Sequence, residues 1–326
     1  MEKIRWGILA TGKIAHKFAQ GLQTLPGAII QAVGSRSEES AKSFAATYQI
    51  PNIHTSYEAL AADPSVDVIY VATPHPSHKA NTLLCLENGK HVLCEKPFAV
   101  NASEAEIMVS KAREKGLFLM EAMWTRFMPA NIELRKILKD QLIGDIRMLT
   151  ADFGFGSAFD PLARTYNPEL AGGALLDVGI YPISYAYMIF RQEPAHVSST
   201  ASICATGVDD QSAYLFGYNN GAIARLSSSV AVETSKEAVI HGNKGMIRIP
   251  LFWKANELHI QQEGKEAVTY KFPYASTGLQ FQAKETMNCI REGKSESAIM
   301  PLDETLQIMR MLDRIRAQWG MKYPME

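Results

Sequence analysis

Cysteine pairs, long apolar runs and an excess of either charge are all missing from this sequence. Its 326 residues include four cysteines, none in a C-x-x-C pair, so we predict neither a disulfide framework nor a thiolate metal site. No run reaches the ~18 uninterrupted apolar residues of a membrane span. The start MEKIRWGILA lacks the apolar core of a signal peptide. These absences favour a cytoplasmic protein without a membrane partner.

The charge balance excludes binding through a general electrostatic field. Lys and Arg total 33 against 34 acidic residues, so nothing would draw the chain onto nucleic acid. The 47% apolar and 21% charged content is typical of a globular protein. A chain of this length suits two domains of ~100–200 residues.

Strand-like and helical patterns alternate in the first third of the chain. The apolar runs are 4–10, 28–34, 67–73, 91–94 and 117–122, and the helical patterns between them lie near 13–25, 37–49, 76–89 and 101–116. Strands that are apolar on both faces and separated by helices predict a parallel sheet covered on both sides. We therefore expect a doubly wound α/β domain over residues 1–122.

The pattern changes after residue 122. A helix near 129–140 precedes eight strand-like stretches, at 145–155, 195–205, 211–219, 222–232, 236–242, 245–250, 257–262 and 266–271, and an amphipathic helix near 301–318 follows. Tight turns in YNNGA (218–222) and GNKGM (242–246) require antiparallel neighbours. Residues 123–326 are thus predicted to form an open, mostly antiparallel sheet. Its uncovered face favours a homo-oligomer over a helix-covered monomer.

The stretch GILATGKIA (7–15) follows the first predicted strand. A dinucleotide fingerprint, G-x-G-x-x-G/A, places glycines where backbone amides at a helix N-terminus meet a pyrophosphate. Here Ala10, Gly12 and Ala15 take the three positions, so only the middle glycine is present. The alternative is a tight strand-to-helix turn without a ligand. The candidate nucleotide contacts in this loop are Ala10, Thr11, Gly12, Lys13 and Ile14.

The end of the second strand bears on the choice of nucleotide. An acidic residue there binds the ribose 2′-hydroxyl of NAD, whereas an arginine suits the 2′-phosphate of NADP. Ser35 and Arg36 occupy the place, which favours NADP while leaving NAD open. The alternative is a solvated Arg36 paired with Glu38 or Glu39.

Two loops follow later strands at the same sheet edge. In VATPHPSH (71–78), His75 and His78 are spaced like a metal pair, but prolines interrupt the segment and no third ligand is nearby. We expect no metal, and a ligand-facing loop instead. In HVLCEKPFAV (91–100) a buried strand ends on Glu95 and Lys96, and Pro97 restricts the backbone there. Taken alone, a lysine at the end of a strand predicts a solvated charge on the protein surface.

The segment GGALLDVGIYPISY (172–185) carries a second group of candidates. If the chain is helical from Asp177 onward, Asp177 and Tyr181 share one face, a turn apart. The alternative is an N-capping aspartate followed by a core tyrosine.

Taken together, four ordered motifs resemble the glucose–fructose oxidoreductase / inositol dehydrogenase / MocA family. They are the fingerprint at 7–15, the TP with a later histidine at 73–78, the E-K-P at 95–97 and the G-G-x-L-x-D-x-G-x-[HY] pattern at 172–181. Tyr181, EAMWTRFMPA (121–130) and YNPELAGGALLDVGIY (166–181) are similar to the branch of dimeric dihydrodiol dehydrogenases and NADP-dependent D-xylose dehydrogenases. Ala10 departs from the usual first glycine, and Gln282 stands where many relatives have glutamate.

The resemblance implies an N-terminal Rossmann domain, a nicotinamide cofactor and a set of site residues. Lys96 and Tyr181 would be the catalytic pair, with Asp177 as neighbour and a cis bond before Pro97. The implied nucleotide contacts further include Thr73, Pro74, His78 and Glu95. The resemblance also places Trp124, Arg126 and Phe127 near the substrate. Their aromatic and weakly charged character makes Phe155 and Arg164 further candidates for substrate contacts, and Phe153, Phe159 and Tyr166 candidates for the pocket wall, because such walls suit the face of a sugar ring or a cyclic diol.

The expected reaction is hydride transfer between the nicotinamide and a secondary alcohol or hemiacetal carbon of a sugar or cyclic diol. A tyrosine with a pKa of ~10 is a poor base at neutral pH, but a nearby ammonium favours tyrosinate. Tyr181 would be the general base and Lys96 its electrostatic partner, or the two roles are exchanged. The alternatives are an NAD-dependent inositol or aldose dehydrogenase and a non-catalytic sugar or nucleotide sensor of the same fold.

Overall fold

The computed structural model describes residues 2–326 and divides into two compact units. The first consists of the chain up to Trp124 together with Ala275–Leu306, and the second of Thr125–Tyr274 with Gln307–Glu326. The sequence predicts a single division at residue 122/123 and does not predict that Ala275–Leu306 returns to the first unit. Its helix packs there against the N-terminal chain, which no local pattern encodes.

The first unit is built on a parallel six-stranded sheet of order β3-β2-β1-β4-β5-β6. The strands are β1 (Ile4–Leu9), β2 (Ala28–Gly34), β3 (Asn52–His54), β4 (Val68–Val71), β5 (His91–Glu95) and β6 (Leu119–Ala122), and the helices are α1 (Lys13–Leu22), α2 (Glu38–Tyr48), α3 (Tyr57–Ala61), α4 (His78–Glu87) and α5 (Ala102–Lys115). The predicted doubly wound fold is confirmed. The short β3 and α3 were not predicted, because three- and five-residue elements leave no readable period.

Helix ends in this unit follow local chemistry. The Ser37 hydroxyl accepts a hydrogen bond from the Ser40 amide at 3.2 Å and caps α2. Asn101 caps α5 in the same way, accepting from Glu104 N at 2.9 Å. Gly116 ends α5 at φ 63°, a conformation that costs glycine little. Such ends fix where each strand-to-helix loop opens.

Aromatic side chains fill the core between α1 and the sheet. Phe18 of α1 packs edge-on against Trp6 at 5.3 Å and stacks on Tyr70 of β4 at 3.7 Å between ring centroids. The later helix α8 (Gln280–Arg291) belongs to the same unit. The Thr277 hydroxyl just before it donates to Lys17 O of α1 at 2.9 Å. These contacts hold α1, and therefore its N-terminus, against the sheet.

The second unit contains an eight-stranded sheet of order β14-β13-β12-β11-β7-β10-β9-β8. Its strands are β7 (Ile146–Gly154), β8 (His196–Ile203), β9 (Asp209–Gly217), β10 (Ile223–Ser229), β11 (Glu237–Gly242), β12 (Gly245–Pro250), β13 (Glu257–Gln262) and β14 (Val268–Lys271). All neighbours are antiparallel except β7 and β10, which run parallel. The mostly antiparallel sheet and both hairpin turns predicted from the sequence are confirmed.

Three helices accompany this sheet: α6 (Pro129–Lys139), α7 (Ile180–Phe190) and α9 (Leu302–Gln318), of which the last spans the boundary of the two units. One face of β7 and β10 packs against α7 and the turn before it. The stretch Pro168–Phe190 is long and apolar enough to cross a membrane by composition, but 94% of its most apolar window is buried inside the protein. Burial of this extent is that of a core helix.

Candidate active site

The loop after β1 has the geometry of a phosphate cradle. Gly12 is the N-cap of α1, and a Cβ placed on it would meet no protein atom of residues 2–326 within 4 Å. No side chain of those residues caps this helix, and its first turn carries no acid, so the amides and the positive end of the helix dipole remain available to an anion. Ala10 takes φ 83° and its amide donates to Gly34 O at 2.9 Å. Alanine thus adopts the conformation that the usual glycine would supply.

Ser35 and Arg36 lie at the neighbouring strand end. Ser35 is buried and its hydroxyl accepts from Ser37 N at 3.2 Å, while Arg36 is exposed. Glu38 pairs with Lys42 at 2.7 Å rather than with the arginine. Over residues 2–326, Arg36 has no ion-pair partner, so its guanidinium remains available to a ligand.

His78 does not face the nucleotide edge as the sequence predicts. Its side chain is fully buried, with Nδ1 2.8 Å from Pro97 O and Nε2 2.8 Å from Thr73 O. Burial lowers the pKa of His78, although the two carbonyls oppose that shift. Because both ring nitrogens are occupied by backbone carbonyls, we correct the prediction: His78 ties the loop after β4 to the loop after β5.

The rings of His75 and His78 lie 5.8 Å apart. Among residues 2–326, no group of three or more His, Cys, Asp or Glu side chains is placed to hold a metal ion.

Lys96 follows β5, and the Lys96–Pro97 bond is cis, as the resemblance implies. The preceding Glu95 is buried: the Tyr70 hydroxyl donates to its Oε1, and the Lys96 amide donates to Oε2 at 3.2 Å. Burial raises the pKa of Glu95, against the opposing effects of Tyr70 and Lys96. The carboxyl therefore anchors the backbone from which the Lys96 side chain starts.

Asp177 lies in a π-helical turn, Leu175–Gly179, and Tyr181 lies in the first turn of α7 immediately after it. The Asp177 amide donates to Gly173 O at 3.3 Å. Helical structure through Asp177 and Tyr181 agrees with the sequence prediction, but the wider turn was not predicted. Such single π turns occur mostly inside α-helices and often at functional sites.

Arg164 and Asp177 form a two-point ion pair. The guanidinium nitrogens donate to Oδ1 at 3.1 Å and Oδ2 at 2.8 Å. Burial lowers the pKa of Arg164, but the charge and hydrogen bonds of Asp177 and the nearby Tyr181 raise it by more, so the net shift is upward. The arginine, predicted as a substrate contact, is thus electrostatically linked to both Asp177 and Tyr181.

The ring of Tyr181 packs against an aromatic pair. Phe153 lies 5.2 Å from Tyr181 and stacks on Trp253 at 4.3 Å between centroids. Trp253 was missed by sequence reasoning, because it stands in a short turn after β12 and more than 70 residues from Tyr181 in the printed sequence. The only available signal was its aromatic type next to Phe252.

Several predicted substrate contacts are core residues. Arg126 is 3% exposed, and its guanidinium donates to the Ser184 hydroxyl at 3.0 Å and to Ser184 O at 2.7 Å. Phe127 is buried, and the Tyr166 hydroxyl donates to Ser157 O at 3.0 Å. Arg126 is therefore corrected to a support of α7, and Phe127 and Tyr166 to core residues. Among the other candidates, Trp124 and Phe155 are half-buried and Phe159 is exposed.

Comparisons with known proteins agree with this fold. Residues 4–123 match the oxidoreductase family with an NAD-binding Rossmann fold, and residues 132–248 match the GFO/IDH/MocA C-terminal domain. The chain is 41% identical to trans-1,2-dihydrobenzene-1,2-diol dehydrogenase of Mus musculus and 40% identical to that of Homo sapiens, in each case over 99% of both chains.

Solved structures show the same architecture. An aldose-aldose oxidoreductase from Caulobacter crescentus is 26% identical, with a TM-score of 0.89 over 98% of each chain. A levoglucosan dehydrogenase in complex with NADH and levoglucosan has a TM-score of 0.89 over 98% of each chain at 19% identity, which shows the fold alone. With the Rossmann unit, the cis Lys96–Pro97 loop and the turn carrying Asp177 in place, this chain belongs to the GFO/IDH/MocA family of oxidoreductases.

Proposed function

We propose that the protein is an NADP-dependent dehydrogenase that oxidises a cyclic trans-dihydrodiol. The observation that carries the substrate class is full-length identity of 41% to a trans-dihydrobenzenediol dehydrogenase. The aromatic pair of Phe153 and Trp253 beside Tyr181 supports it, because flat apolar walls suit the face of a small ring. An aldose such as D-xylose is the second candidate, favoured by the likeness to an aldose oxidoreductase.

The proposed chemistry assigns each residue one task. A bound nicotinamide supplies the hydride acceptor. Tyr181 takes the hydroxyl proton and Lys96 stabilises the tyrosinate, or the two share the proton in exchanged roles. The guanidinium of Arg164 donates to Asp177 Oδ2 at 2.8 Å and so holds the Asp177 carboxyl group in place near Tyr181. In the direction of reduction the same groups return the proton.

The proposed cofactor contacts begin with the loop Ala10–Ile14. The open space over Gly12 and the uncapped start of α1 fit a pyrophosphate. Thr73 and Pro74 lie at the same sheet edge after β4, and Ser35 and Arg36 lie after β2. The exposed, unpaired Arg36 supports NADP over NAD, because a guanidinium can bind a 2′-phosphate through two hydrogen bonds.

Replacing Arg36 should therefore change cofactor choice. We expect Arg36→Ala to raise KM for NADP about 10–100-fold, the cost of losing ~1.5–3 kcal/mol of charged hydrogen bonds, with KM for NAD unchanged. The measurement is initial rates with each cofactor. Lys42→Ala, which removes an exposed cation of α2 already paired with Glu38, is the matched control. Equal losses with both cofactors would contradict this role.

The substrate class is tested by initial-rate formation of NADPH on trans-dihydrobenzenediol, D-xylose, D-glucose and myo-inositol. We expect the highest kcat/KM on the dihydrodiol. Turnover confined to a sugar would replace the first candidate by the second. Tight NADPH binding without turnover on the whole panel would reverse the assignment to a dehydrogenase in favour of a sensor.

The second sheet presents an exposed face that would suit contact with a second copy of the chain. The outer face of the second sheet exposes Leu215 (49%) of β9 and Ile223 (42%) of the adjacent β10, and further along the sheet Met246 (38%) of β12. Leu215 also lines a groove of about 580 Å³. We assign this face to a homodimer contact, since an open sheet face with apolar side chains needs covering. Leu215→Lys should shift the mass in solution from dimer to monomer; a wild-type monomer at micromolar concentration would rule the contact out.

Four free thiols are consistent with a reducing cytoplasm.

A further inference from the structure

A buried polar cluster lies beneath the π-helical turn and has no part in the chemistry described so far. We call it the polar network; its members are Asp209, Ser212 and Tyr214 of β9 and Ser228 of β10, with at most 6% of any of them exposed. The Ser212 hydroxyl donates to Asp209 Oδ2 at 3.0 Å. The Tyr214 hydroxyl lies 2.6 Å from both Ser212 Oγ and Ser228 Oγ. Its members are thus joined to one another.

The polar network contacts the turn at its first residue. Asp209 Oδ2 accepts a hydrogen bond from Leu175 N at 2.8 Å. Leu175 is where the π-helical turn begins, and an amide at the start of a helix has no partner within the helix. The carboxyl therefore accepts from the first amide of the turn, two residues before Asp177.

The glycines of the G-G-x-L-x-D-x-G segment are explained by the same network. A Cβ on Gly173, which has φ 109°, would overlap Asp209 Oδ1. A Cβ on Gly179 would lie 2.6 Å from the Tyr214 hydroxyl and 2.8 Å from Ser228 Oγ. Neither position tolerates a side chain unless the network moves. The backbone on both sides of Asp177 is thus seated directly on the polar network.

Resting on the proposed function, we propose that Asp209 and the polar network are positioning groups that hold the Leu175–Gly179 turn and thereby aim Asp177 and Tyr181. No atom of the polar network takes part in the proposed proton or hydride transfer. Its effect is on the direction of two side chains, and a misplacement of ~1 Å can cost about 10²-fold in turnover.

A second contact holds the pair Gly172 and Gly173, just before the turn. It comes from the C-terminal tail, which consists of the residues that follow α9. The buried Tyr323 hydroxyl donates to Gly172 O at 2.6 Å, and the Arg316 guanidinium lies 4.9 Å from the Tyr323 ring centre. Arg316 in turn pairs with Glu326 at 2.6 Å and Asp313 at 2.7 Å. The glycine pair is therefore held from two sides, by β9 and by the tail.

The protonation of Asp209 gives an independent signature. Burial raises the pKa of this carboxyl to about 7, against the Ser212 hydroxyl and the Leu175 amide, and Asp210 raises it further. Besides Asp210, the titratable groups that face it are Tyr214 of its own strand and Tyr323 of the tail, whose pKa values burial raises. The network partner from β10 is the neutral Ser228.

A carboxyl whose pKa is higher in the folded than in the unfolded chain binds more protons when the chain is folded. The contribution of Asp209 to the free energy of unfolding therefore falls as the pH rises from about 4 to 7. We expect the Tm of the wild type relative to Asp209→Asn to fall over this range. A pH-independent difference would exclude a titrating Asp209.

The kinetic test compares Asp209→Ala, Asp209→Asn and Tyr214→Phe. We expect Asp209→Ala to lower kcat about 10²-fold with KM for NADP unchanged, and Asp209→Asn to keep most turnover because its carbonyl oxygen still accepts from Leu175 N. Tyr214→Phe should lose turnover to a smaller extent. Tyr218→Phe is the matched control. It removes a buried hydroxyl in the turn between β9 and β10, and this hydroxyl has no hydrogen-bond partner among residues 2–326. Losses equal to those of this control would overturn the proposal.

Amide hydrogen exchange of the peptide over residues 174–181 separates this inference from the proposed function. It needs no substrate. We expect exchange there to accelerate about tenfold or more in Asp209→Ala and in Tyr214→Phe, but not in Tyr218→Phe. Acceleration without any dehydrogenase activity in the wild type would uphold the positioning role and reject the reaction. Unchanged exchange in a folded Tyr214→Phe would reject the positioning role.

Discussion

Tyr181→Phe should abolish most turnover while leaving NADPH binding intact. The substitution removes only the hydroxyl that we propose exchanges a proton with the substrate, and a positioned acid or base contributes about 10²–10⁴-fold to the rate. The ring contact with Phe153 at 5.2 Å remains, so the aromatic wall is retained. The measurement is kcat with the best substrate of the panel, together with NADPH affinity by fluorescence titration.

A matched control lies on the same helix. The Tyr185 hydroxyl of α7 is buried and donates to Asn131 Oδ1 at 2.9 Å. Tyr185→Phe should cost stability of about 1–3 kcal/mol, because the Asn131 oxygen loses its donor, but it should leave kcat near the wild-type value. If Tyr181→Phe retains wild-type turnover, the proton passes through another group and the proposed mechanism is wrong.

Lys96→Met is expected to have an effect of similar size for a different reason. Methionine keeps the apolar stem but removes the ammonium charge, and loss of one such stabilising group costs about 10²–10³ in kcat. Without the positive charge the tyrosinate is disfavoured, so the residual activity should rise toward more alkaline pH. The measurement is a pH profile of kcat and kcat/KM for the variant and the wild type.

Two further variants define the role of this lysine. Lys79→Met removes a cation of the same unit that pairs with Glu104 at 2.9 Å, and we expect normal turnover from it. Lys96→Arg keeps the charge with a different shape, so partial activity at an unshifted pH optimum indicates that charge is the requirement. An acid-shifted profile in Lys96→Met would contradict the electrostatic role.

Local patterns predicted most of the architecture. Apolar runs such as 67–73 and 91–94 are continuous because parallel strands are buried on both faces, and they lie close to the observed β4 and β5. The turn residues of YNNGA and GNKGM predicted the two hairpins, which join β9 to β10 and β11 to β12. The return of Ala275–Leu306 to the first unit was not predicted, because its contacts join residues far apart in sequence.

The site was predicted less completely than the fold. The residue types at Lys96, Asp177 and Tyr181 are visible in motifs, and the cis bond before Pro97 followed from the resemblance. The sequence does not show whether a side chain contacts a ligand or is buried against other parts of the protein. Arg126 bonds to Ser184, 58 positions away, and an arginine in a motif reads the same whether it meets a ligand or a backbone carbonyl.

By itself, the sequence determined the order of most strands and helices, though not short elements such as β3 and α3, together with the glycine and alanine loop that starts α1 and the candidate groups for proton transfer. Those features depend on neighbours within a few residues, where period, turn chemistry and helix ends act. Tertiary structure alone decided that Arg164 pairs with Asp177, that His78 bridges two loops, and that Asp209 seats the π-helical turn. Each of these contacts depends on how burial and hydrogen bonding are satisfied between distant segments, because an unpaired buried polar group is costly wherever its partner lies in the chain.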